Sequence, residues 1–197
     1  MDLSVFVRTF IAVFVLADAL GNAPIVVILT KGMEPLERNR VIDRGSLVAT
    51  LVLMGFAFGG QAILNYLHIS MGSLRVAGGI LLLLIALDML QGSLDTPVVD
   101  QNKDIAITPL ALPLLAGPGT LTTVMLLMSE VPEARISVVV GILSAMLVTW
   151  LIVRQATRID KLIGIEGAVI ATKLLGFLLA ALAVEIGSEG IRELFLT

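Results

Sequence analysis

The chain has 197 residues, of which 57% are hydrophobic and only 15% are charged, whereas soluble domains are about 45 to 50% apolar and about 25% charged. This composition excludes an ordinary soluble domain and indicates a membrane protein. The absence of cysteine excludes disulfide bonds, thiol redox chemistry and thiolate metal sites, and the formal net charge of −3 identifies no class of partner.

Apolar segments long enough to cross a bilayer follow one another along nearly the whole chain. A membrane-spanning helix needs about 20 mainly apolar residues. The first segment lacks the basic region of a cleaved signal peptide, so we predict that it is a retained first span. We therefore predict an all-α, polytopic membrane protein with six transmembrane helices. The six spans are residues 5–30, 45–67, 73–90, 107–128, 136–153 and 165–186.

The positions of lysine and arginine predict the orientation, because cytoplasmic loops carry an excess of both. With both termini outside, the inner loops would hold eight basic residues and the outer side three. The inner set is Lys31, Arg38, Arg40, Arg44, Lys103, Arg154, Arg158 and Lys161. The outer set is Arg8, Arg135 and Arg192. We predict a multi-pass protein of the cell inner membrane with its N-terminus and C-terminus outside.

Two spans contain residues that interrupt helices. The sequence Gly-Asn-Ala-Pro occupies 21–24 in span 1, and Gly-Pro-Gly-Thr occupies 117–120 in span 4. Glycine suits a helix C-cap and proline the first turn of the next helix. We predict that Gly21 and Gly117 end one helix and that Asn22 and Thr120 cap the next, although simple kinks are the alternative. Such backbone must be buried in protein or line a cavity.

The second half of the chain resembles the first in the order of these features. A shift of 96 positions aligns Gly21 with Gly117 and Gly45 with Gly141. Three spans in each half would make the halves inverted repeats, as in many secondary transporters. We predict a first three-span repeat at 1–91, a polar linker at 92–104 and a second three-span repeat at 105–197. Chance similarity between glycine-rich spans is the alternative.

Polar groups near the breaks form the predicted solute site. Asp18 lies within span 1, where a charge costs about 2.5 to 3.5 kcal/mol, and it precedes Asn22 by one helical turn. Asp18 either binds the ammonium group of a substrate, carries a coupling proton or caps the broken backbone. Thr120 and Thr123 share a helix face, and threonines in membrane helices also bond to backbone. The candidate substrate-binding residues are Asp18, Gly21, Asn22, Pro24, Gly117, Pro118, Gly119, Thr120 and Thr123.

Each half also carries a base followed by an acid near its third span. Arg75 precedes Asp88 by 13 residues, and Lys173 precedes Glu185 by 12. Inversion of the repeats would bring Arg75 near Glu185 and Lys173 near Asp88. We predict two gate ion pairs on opposite sides of the midplane, with side chains that merely reach the interface as the alternative.

Three motifs resemble the MarC family of integral membrane proteins, which are also known as small neutral amino acid transporters. They are DALGNAP at 18–24, RVAGGILLLLIALDML at 75–90 and PLALPLLAGPGTLTTV at 109–124. The family usually has proline after the aspartate of the first motif, where this chain has Ala19. The resemblance implies a six-span inner-membrane protein that handles a small neutral amino acid such as glycine or alanine.

The leading hypothesis is therefore an ion-coupled secondary transporter with alternating access. A passive channel, an exporter for another small polar solute and an intramembrane enzyme with an Asp18 and Asp88 dyad are the alternatives. We expect the lipid bilayer and a small neutral amino acid as partners, with H⁺ or Na⁺ as candidate coupling ions and a homo-oligomer left open. We expect no enzymatic activity, cofactor, metal site or nucleic acid, since neither a nucleotide-binding nor a zinc motif occurs.

Overall fold

The computed structural model describes residues 2–30, 32–91 and 106–195, and these residues contain helices and no strand. The predicted polar linker at 92–104 lies outside the described residues, and the division into repeats stays a prediction. The elements in chain order are α1 (Leu3–Ala17), α2 (Ala19–Leu29), α3 (Pro35–Tyr66), α4 (Met71–Gln91), a π-helix (Ala106–Leu115), α5 (Pro118–Glu130), a 3₁₀ turn (Pro132–Ala134), α6 (Arg135–Arg154) and α7 (Ala156–Phe195).

Within the described part of the chain, five helical stretches are long and apolar enough to cross a membrane. They are Leu3–Ala23, Pro35–Tyr66, Met71–Gln91, Pro132–Arg154 and Thr172–Phe195. The predicted span at 107–128 is instead divided between the π-helix and α5, which have 10 and 13 residues. Neither piece reaches the length of about 20 residues that a crossing needs. The all-helical membrane class is thus confirmed, whereas the arrangement of six helices as inverted repeats stays a prediction.

Local sequence explains where the helices begin. Asp2 caps α1, because its Oδ1 accepts hydrogen bonds from the backbone amides of Ser4 at 2.9 Å and Val5 at 3.2 Å. Hydrogen bonds from the Ser4 side chain and from these amides lower the pKa of Asp2 below its ordinary value. Proline occupies the first turn of both α3 and α5, where its missing amide removes no helical hydrogen bond.

Glycines allow α4 and α7 to pack closely along an antiparallel seam. A Cβ on Gly72 would lie 3.3 Å from the carbonyl oxygen of Gly190, and one on Gly79 would lie 2.8 Å from that of Ala183. Further along, a Cβ on Gly176 would approach the carbonyl oxygen of Ala86 at 3.3 Å. Small residues are what membrane helices use to bring backbones together. The seam therefore fixes α4 against α7.

The two glycines that the repeat aligns occupy comparable places. A Cβ on Gly141 of α6 would lie 2.8 Å from the Cβ of Thr9 on α1. A Cβ on Gly45 of α3 would lie 2.6 Å from a methyl carbon of Leu110 on the π-helix. Gly141 and Gly45 thus contact the helical segments that precede the breaks in spans 1 and 4.

The outer surface of the bundle is apolar, as a lipid-facing surface requires. Large hydrophobic side chains are well exposed on the long helices, including Leu47 at 60%, Phe58 at 63% and Phe177 at 67% of their full areas. Exposed apolar area on this scale is unusual for a soluble monomer. The interior between the helices is filled by smaller residues, such as the fully buried Ala49 and Ala145.

Both ends of the described chain lie at the same end of the bundle. Arg8 of α1 lies 3.4 Å from Glu130, and Arg75 bridges Glu130 at 3.0 Å and Glu193 of α7 at 2.7 Å. The opposite end carries contacts of Arg38 and Arg154. Termini on one side agree with the predicted topology, while the side of the membrane on which they lie stays a prediction.

We expect Gly79→Ala to destabilise the fold. The new methyl group would lie 2.8 Å from backbone atoms of Ala183 and Gly187, so α4 and α7 must move apart at a cost of about 1 to 3 kcal/mol. Gly55→Ala is the matched control, because its added Cβ meets nothing within 4 Å and gains about 1 kcal/mol of helix propensity. Thermal unfolding in detergent measures both variants, and equal midpoints would contradict the close seam.

Candidate functional site

Span 1 is broken at Asp18, which separates α1 from α2. Asp18 adopts a left-handed conformation with φ 37° and ψ 56°, and its amide donates to the carbonyl of Val15 at 3.2 Å. Aspartate tolerates this conformation better than most residues because its short side chain can form local hydrogen bonds. The predicted discontinuity of span 1 is confirmed, but the prediction that Gly21 ends the first helix is wrong.

Gly21 lies within α2 and is needed there for space. Its amide donates to Oδ1 of Asp18 at 3.1 Å. A Cβ on Gly21 would collide with the Asp18 carboxylate and with the hydroxyl of Thr172 on α7. The Thr172 hydroxyl in turn lies 3.4 Å from Oδ2 of Asp18. Asp18 is therefore held between the first turn of α2 and α7.

The prediction that Asn22 caps a helix is wrong. Its side chain instead replaces a backbone hydrogen bond that the break removes. In a continuous helix the Gly21 amide would bond to the carbonyl of Ala17, yet here it bonds to Asp18. The side-chain amide of Asn22 donates to the Ala17 carbonyl at 2.9 Å instead. It also lies 3.5 Å from the carbonyl oxygen of Leu114. Asn22 is 8% exposed, so the buried carbonyl depends on it.

Span 4 is broken between the π-helix and α5. The amide of Ala116 donates to the carbonyl of Ala111 at 2.9 Å, and Gly117 then adopts an extended conformation as the N-cap of α5. The predicted discontinuity is confirmed, but the predicted roles are wrong. Gly117 precedes a helix rather than ending one, and Thr120 lies inside α5. The N-cap residue is a glycine and has no side chain to accept from the first amides of α5, which leaves these amides to other acceptors.

The two breaks lie next to each other. Asn22 joins them through its contact with Leu114, and a Cβ on Gly119 would lie 3.4 Å from a methyl carbon of Leu16 on α1. The same Cβ would lie 2.8 Å from Leu82 and 3.0 Å from Ile85 of α4. Gly119 thus packs against apolar side chains in this conformation. Pro24 and Pro118 lie in α2 and α5, and their side chains fall outside the described residues.

The threonines of α5 face different neighbours. Thr120, Thr122 and Thr123 are 2%, 8% and 2% exposed. Thr122 packs on Gly78 of α4. The hydroxyl of Thr123 is buried without a hydrogen-bond partner among the described residues, and it faces a cavity of about 10 Å³ beside Arg8. That volume is close to the minimum for one water molecule.

The structure assigns Arg75 different partners from those predicted. Arg75 binds Glu130 and Glu193 rather than Glu185, which is exposed. Lys173 and Asp88 are also exposed, and no ion pair joins them in this part of the described chain. Neither predicted gate pair is therefore formed in this conformation. Their role in another conformation stays a prediction.

Sequence reasoning missed two residues of this region. Thr172 contacts Asp18, and Glu130 links Arg8 to Arg75. Glu130 lies at the end of an apolar span, so the pattern of charges in the sequence could have indicated it as a partner for Arg8 and Arg75. Thr172 carries no comparable signal, because only tertiary packing brings α7 against α2. Among the described residues no group of three or more histidine, aspartate and glutamate side chains could hold a metal ion.

Replacing Asn22 with alanine should destabilise the protein by about 1 to 3 kcal/mol, because the buried Ala17 carbonyl would lose its donor. Asn65→Ala is the matched control, since Asn65 is exposed and its side chain accepts from the exposed Gln61 at 3.0 Å. It should change stability by less than about 0.5 kcal/mol. Unfolding midpoints of the purified proteins report the difference. An Asn22→Ala variant as stable as the unmodified protein would contradict the role of the Asn22 hydrogen bond to Ala17.

A double-mutant cycle distinguishes the observed charge network from the predicted gates. Arg75→Gln and Glu130→Gln should be coupled by about 0.5 to 3 kcal/mol, whereas separated residues add within about 0.5 kcal/mol. The pair Lys173→Gln and Asp88→Gln serves as the control and should be additive. Unfolding free energies of the single and double variants supply both values. Coupling between Lys173 and Asp88 alone would favour the predicted gate pair over the observed contact of Arg75 with Glu130.

Comparison with known proteins agrees with this membrane architecture. The sequence model for the MarC family integral membrane proteins matches residues 3–195. A UPF0056 membrane protein of Methanocaldococcus jannaschii is 35% identical, with 98% of each chain covered. The UPF0056 inner membrane protein YhgN of Escherichia coli K12 is 33% identical, with 92% of this chain and 93% of the relative covered. No solved structure matches the chain significantly. The chain belongs to the MarC family of integral membrane proteins.

Proposed function

We propose that this protein is a secondary transporter of small neutral amino acids that works by alternating access. The observation that carries the proposal is the pair of adjacent helix breaks, joined by Asn22 between the carbonyls of Ala17 and Leu114. Broken helices at the centre of a membrane protein are where secondary transporters bind solutes and coupling ions. The membrane location of the Escherichia coli relative supports the same interpretation.

The charges around the breaks suit a zwitterion. The N-terminus of α5 follows the N-cap Gly117, which has no side chain to cap it, and its amides and helix dipole would attract a carboxylate. The C-terminus of α1 ends in Ala17, followed by Asp18, and its carbonyls and carboxylate would attract an ammonium group. The two ends of an amino acid would therefore meet opposite partial charges.

The walls around the breaks favour a small side chain. Ala17, Ala19, Ala23 and Ala116 are at most 1% exposed, and Gly21 has no room for a Cβ beside Asp18 and Thr172. A close-packed wall has little freedom to move aside for extra methylene groups. Glycine and alanine are therefore the solutes that this surface favours among neutral amino acids.

Solute binding would require the breaks to open. Gly21 is covered by Asp18 and Thr172, while Gly119 is covered by Leu82 and Ile85. The conformation is thus closed at both breaks, and α4 and α7 are the elements that cover them. We propose that movement of these helices exposes the breaks to one side of the membrane at a time, with H⁺ or Na⁺ as the coupling ion.

The other functions weighed from the sequence gain no specific support. The Asp18 side chain contacts Gly21 and Thr172, whereas Asp88 is exposed on α4. An aspartyl dyad would need its two carboxylates to share a proton at close range. A passive channel and an exporter differ from the proposed transporter in energetics and direction, which transport assays measure.

Proteoliposomes that contain the purified protein should take up labelled glycine and alanine, and an imposed H⁺ or Na⁺ gradient should drive accumulation. Asp18→Asn should reduce uptake at least about tenfold, because a contact with a charged group contributes about 1.5 to 3 kcal/mol. Glu133→Gln is the matched control, since Glu133 is exposed in the 3₁₀ turn between α5 and α6, and its uptake should be unchanged. Uptake that never exceeds equilibrium under any gradient would indicate a channel, and equal activity of both variants would place the site elsewhere.

A further inference from the structure

A polar cavity lies at the end of the bundle away from the chain termini. It has a volume of about 370 Å³ where α3 begins, α6 ends and α7 begins. Its polar lining combines three arginines with three uncharged side chains, namely Arg38, Arg154, Arg158, Asn39, Gln155 and Thr157. This is the end that the distribution of basic residues assigns to the cytoplasm.

The arginines of this cavity keep donors that the protein does not use. Arg38 donates from Nη1 to the Thr157 hydroxyl at 2.6 Å, while its Nε is buried without a partner among the described residues. Arg158 is exposed and forms no ion pair within the described chain. Arg38 and Arg158 therefore bring two guanidinium groups to the cavity wall, and neither has a carboxylate partner among the described residues.

One carboxylate lies beside the arginines and is already engaged. Oδ1 of Asp43 accepts from Nη1 of Arg154 and from Nε1 of Trp150, each at 2.7 Å. The Arg154 guanidinium also lies 5.0 Å from the centre of the Trp150 ring. Asp43 therefore neutralises Arg154, whereas no described acid pairs with Arg38 or Arg158, which also line the cavity.

An apolar groove continues from this cavity along α3 and α6. The groove has a volume of about 400 Å³, and Trp150 lines both spaces. Its walls include Leu47 and Leu143, which are 60% and 45% exposed. The Ser46 hydroxyl on the groove is buried without a partner among the described residues. The groove is thus mainly apolar and lies on the exposed surface between α3 and α6.

We propose that an anionic phospholipid binds here, with its phosphate against Arg38 and Arg158 and an acyl chain in the groove between α3 and α6. Arginine binds phosphate through geometrically matched donors, and basic pockets between helices on the cytoplasmic side bind acidic lipid headgroups. Trp150 lies at the junction, as tryptophan does at membrane interfaces.

The charge and the groove together select this occupant. A soluble phosphate compound would use the arginines but leave the groove empty, and a zwitterionic lipid would fill the groove but bring a compensating positive charge to the arginines. The site lies apart from the breaks near Asp18, so its occupancy can be measured without any transport assay.

Native mass spectrometry of the full-length protein in detergent tests the proposal. Dioleoyl phosphatidylglycerol should bind in preference to dioleoyl phosphatidylcholine, and glycerol 3-phosphate should neither bind measurably nor compete. The double variant Arg38→Gln with Arg158→Gln should bind phosphatidylglycerol about 25-fold more weakly, since each basic residue contributes about fivefold. If that variant does not fold, Arg158→Gln alone, at an exposed position, should lose about fivefold.

The matched control is Arg135→Gln with Arg192→Gln, which removes two exposed arginines from the opposite end of the bundle. Equal binding of the two lipids, or equal losses in the control and the test variants, would overturn the proposal. Competition by glycerol 3-phosphate would also overturn it, because the groove would then contribute nothing. A dimer that forms in place of lipid adducts would assign the groove to a second copy of the chain.

Discussion

The need to satisfy every backbone polar group inside a membrane shapes the centre of this protein. Hydrocarbon offers no hydrogen bonds, so a helix can break there only if protein groups replace the lost ones. Asp18 accepts from the Gly21 amide, and Asn22 donates to the Ala17 carbonyl. Both replacement groups are side chains, one from the break residue itself and one from the first turn of α2. The break is therefore closed by hydrogen bonds within span 1.

Close helix packing sets where the breaks lie. Lipid supplies no hydrophobic force between helices, so small residues must allow close contact. Gly79 brings α4 against α7. Gly45 allows close contact with the π-helix, and Gly141 allows close contact with α1. These contacts place Thr172 of α7 on Asp18 and Leu82 of α4 on Gly119. The helices that cover the breaks are thus held together by close contacts at glycines.

The two ends of the bundle use charge differently. At the end with the termini, Glu130 and Glu193 surround Arg75, and Arg8 joins the same network. Opposite charges are balanced there, and the network links α1, α4, α5 and α7. At the other end Asp43 engages Arg154, while Arg38 and Arg158 form no ion pair within the part of the chain that the structure describes. The first arrangement joins the helices to one another, and the second supports the proposed site for an anionic lipid.

The sequence by itself determined the membrane class, the helical fold and the presence of breaks in spans 1 and 4, because apolar length and helix-breaking residues act locally. It did not determine which residue makes each break. Asp18 rather than Gly21 takes the left-handed conformation, since Gly21 is needed for contact with Thr172, which lies 151 positions away in the sequence. Tertiary structure likewise paired Arg75 with Glu130 and Glu193, because charge patterns predict the sign of a partner, whereas helix packing decides which partner comes within reach.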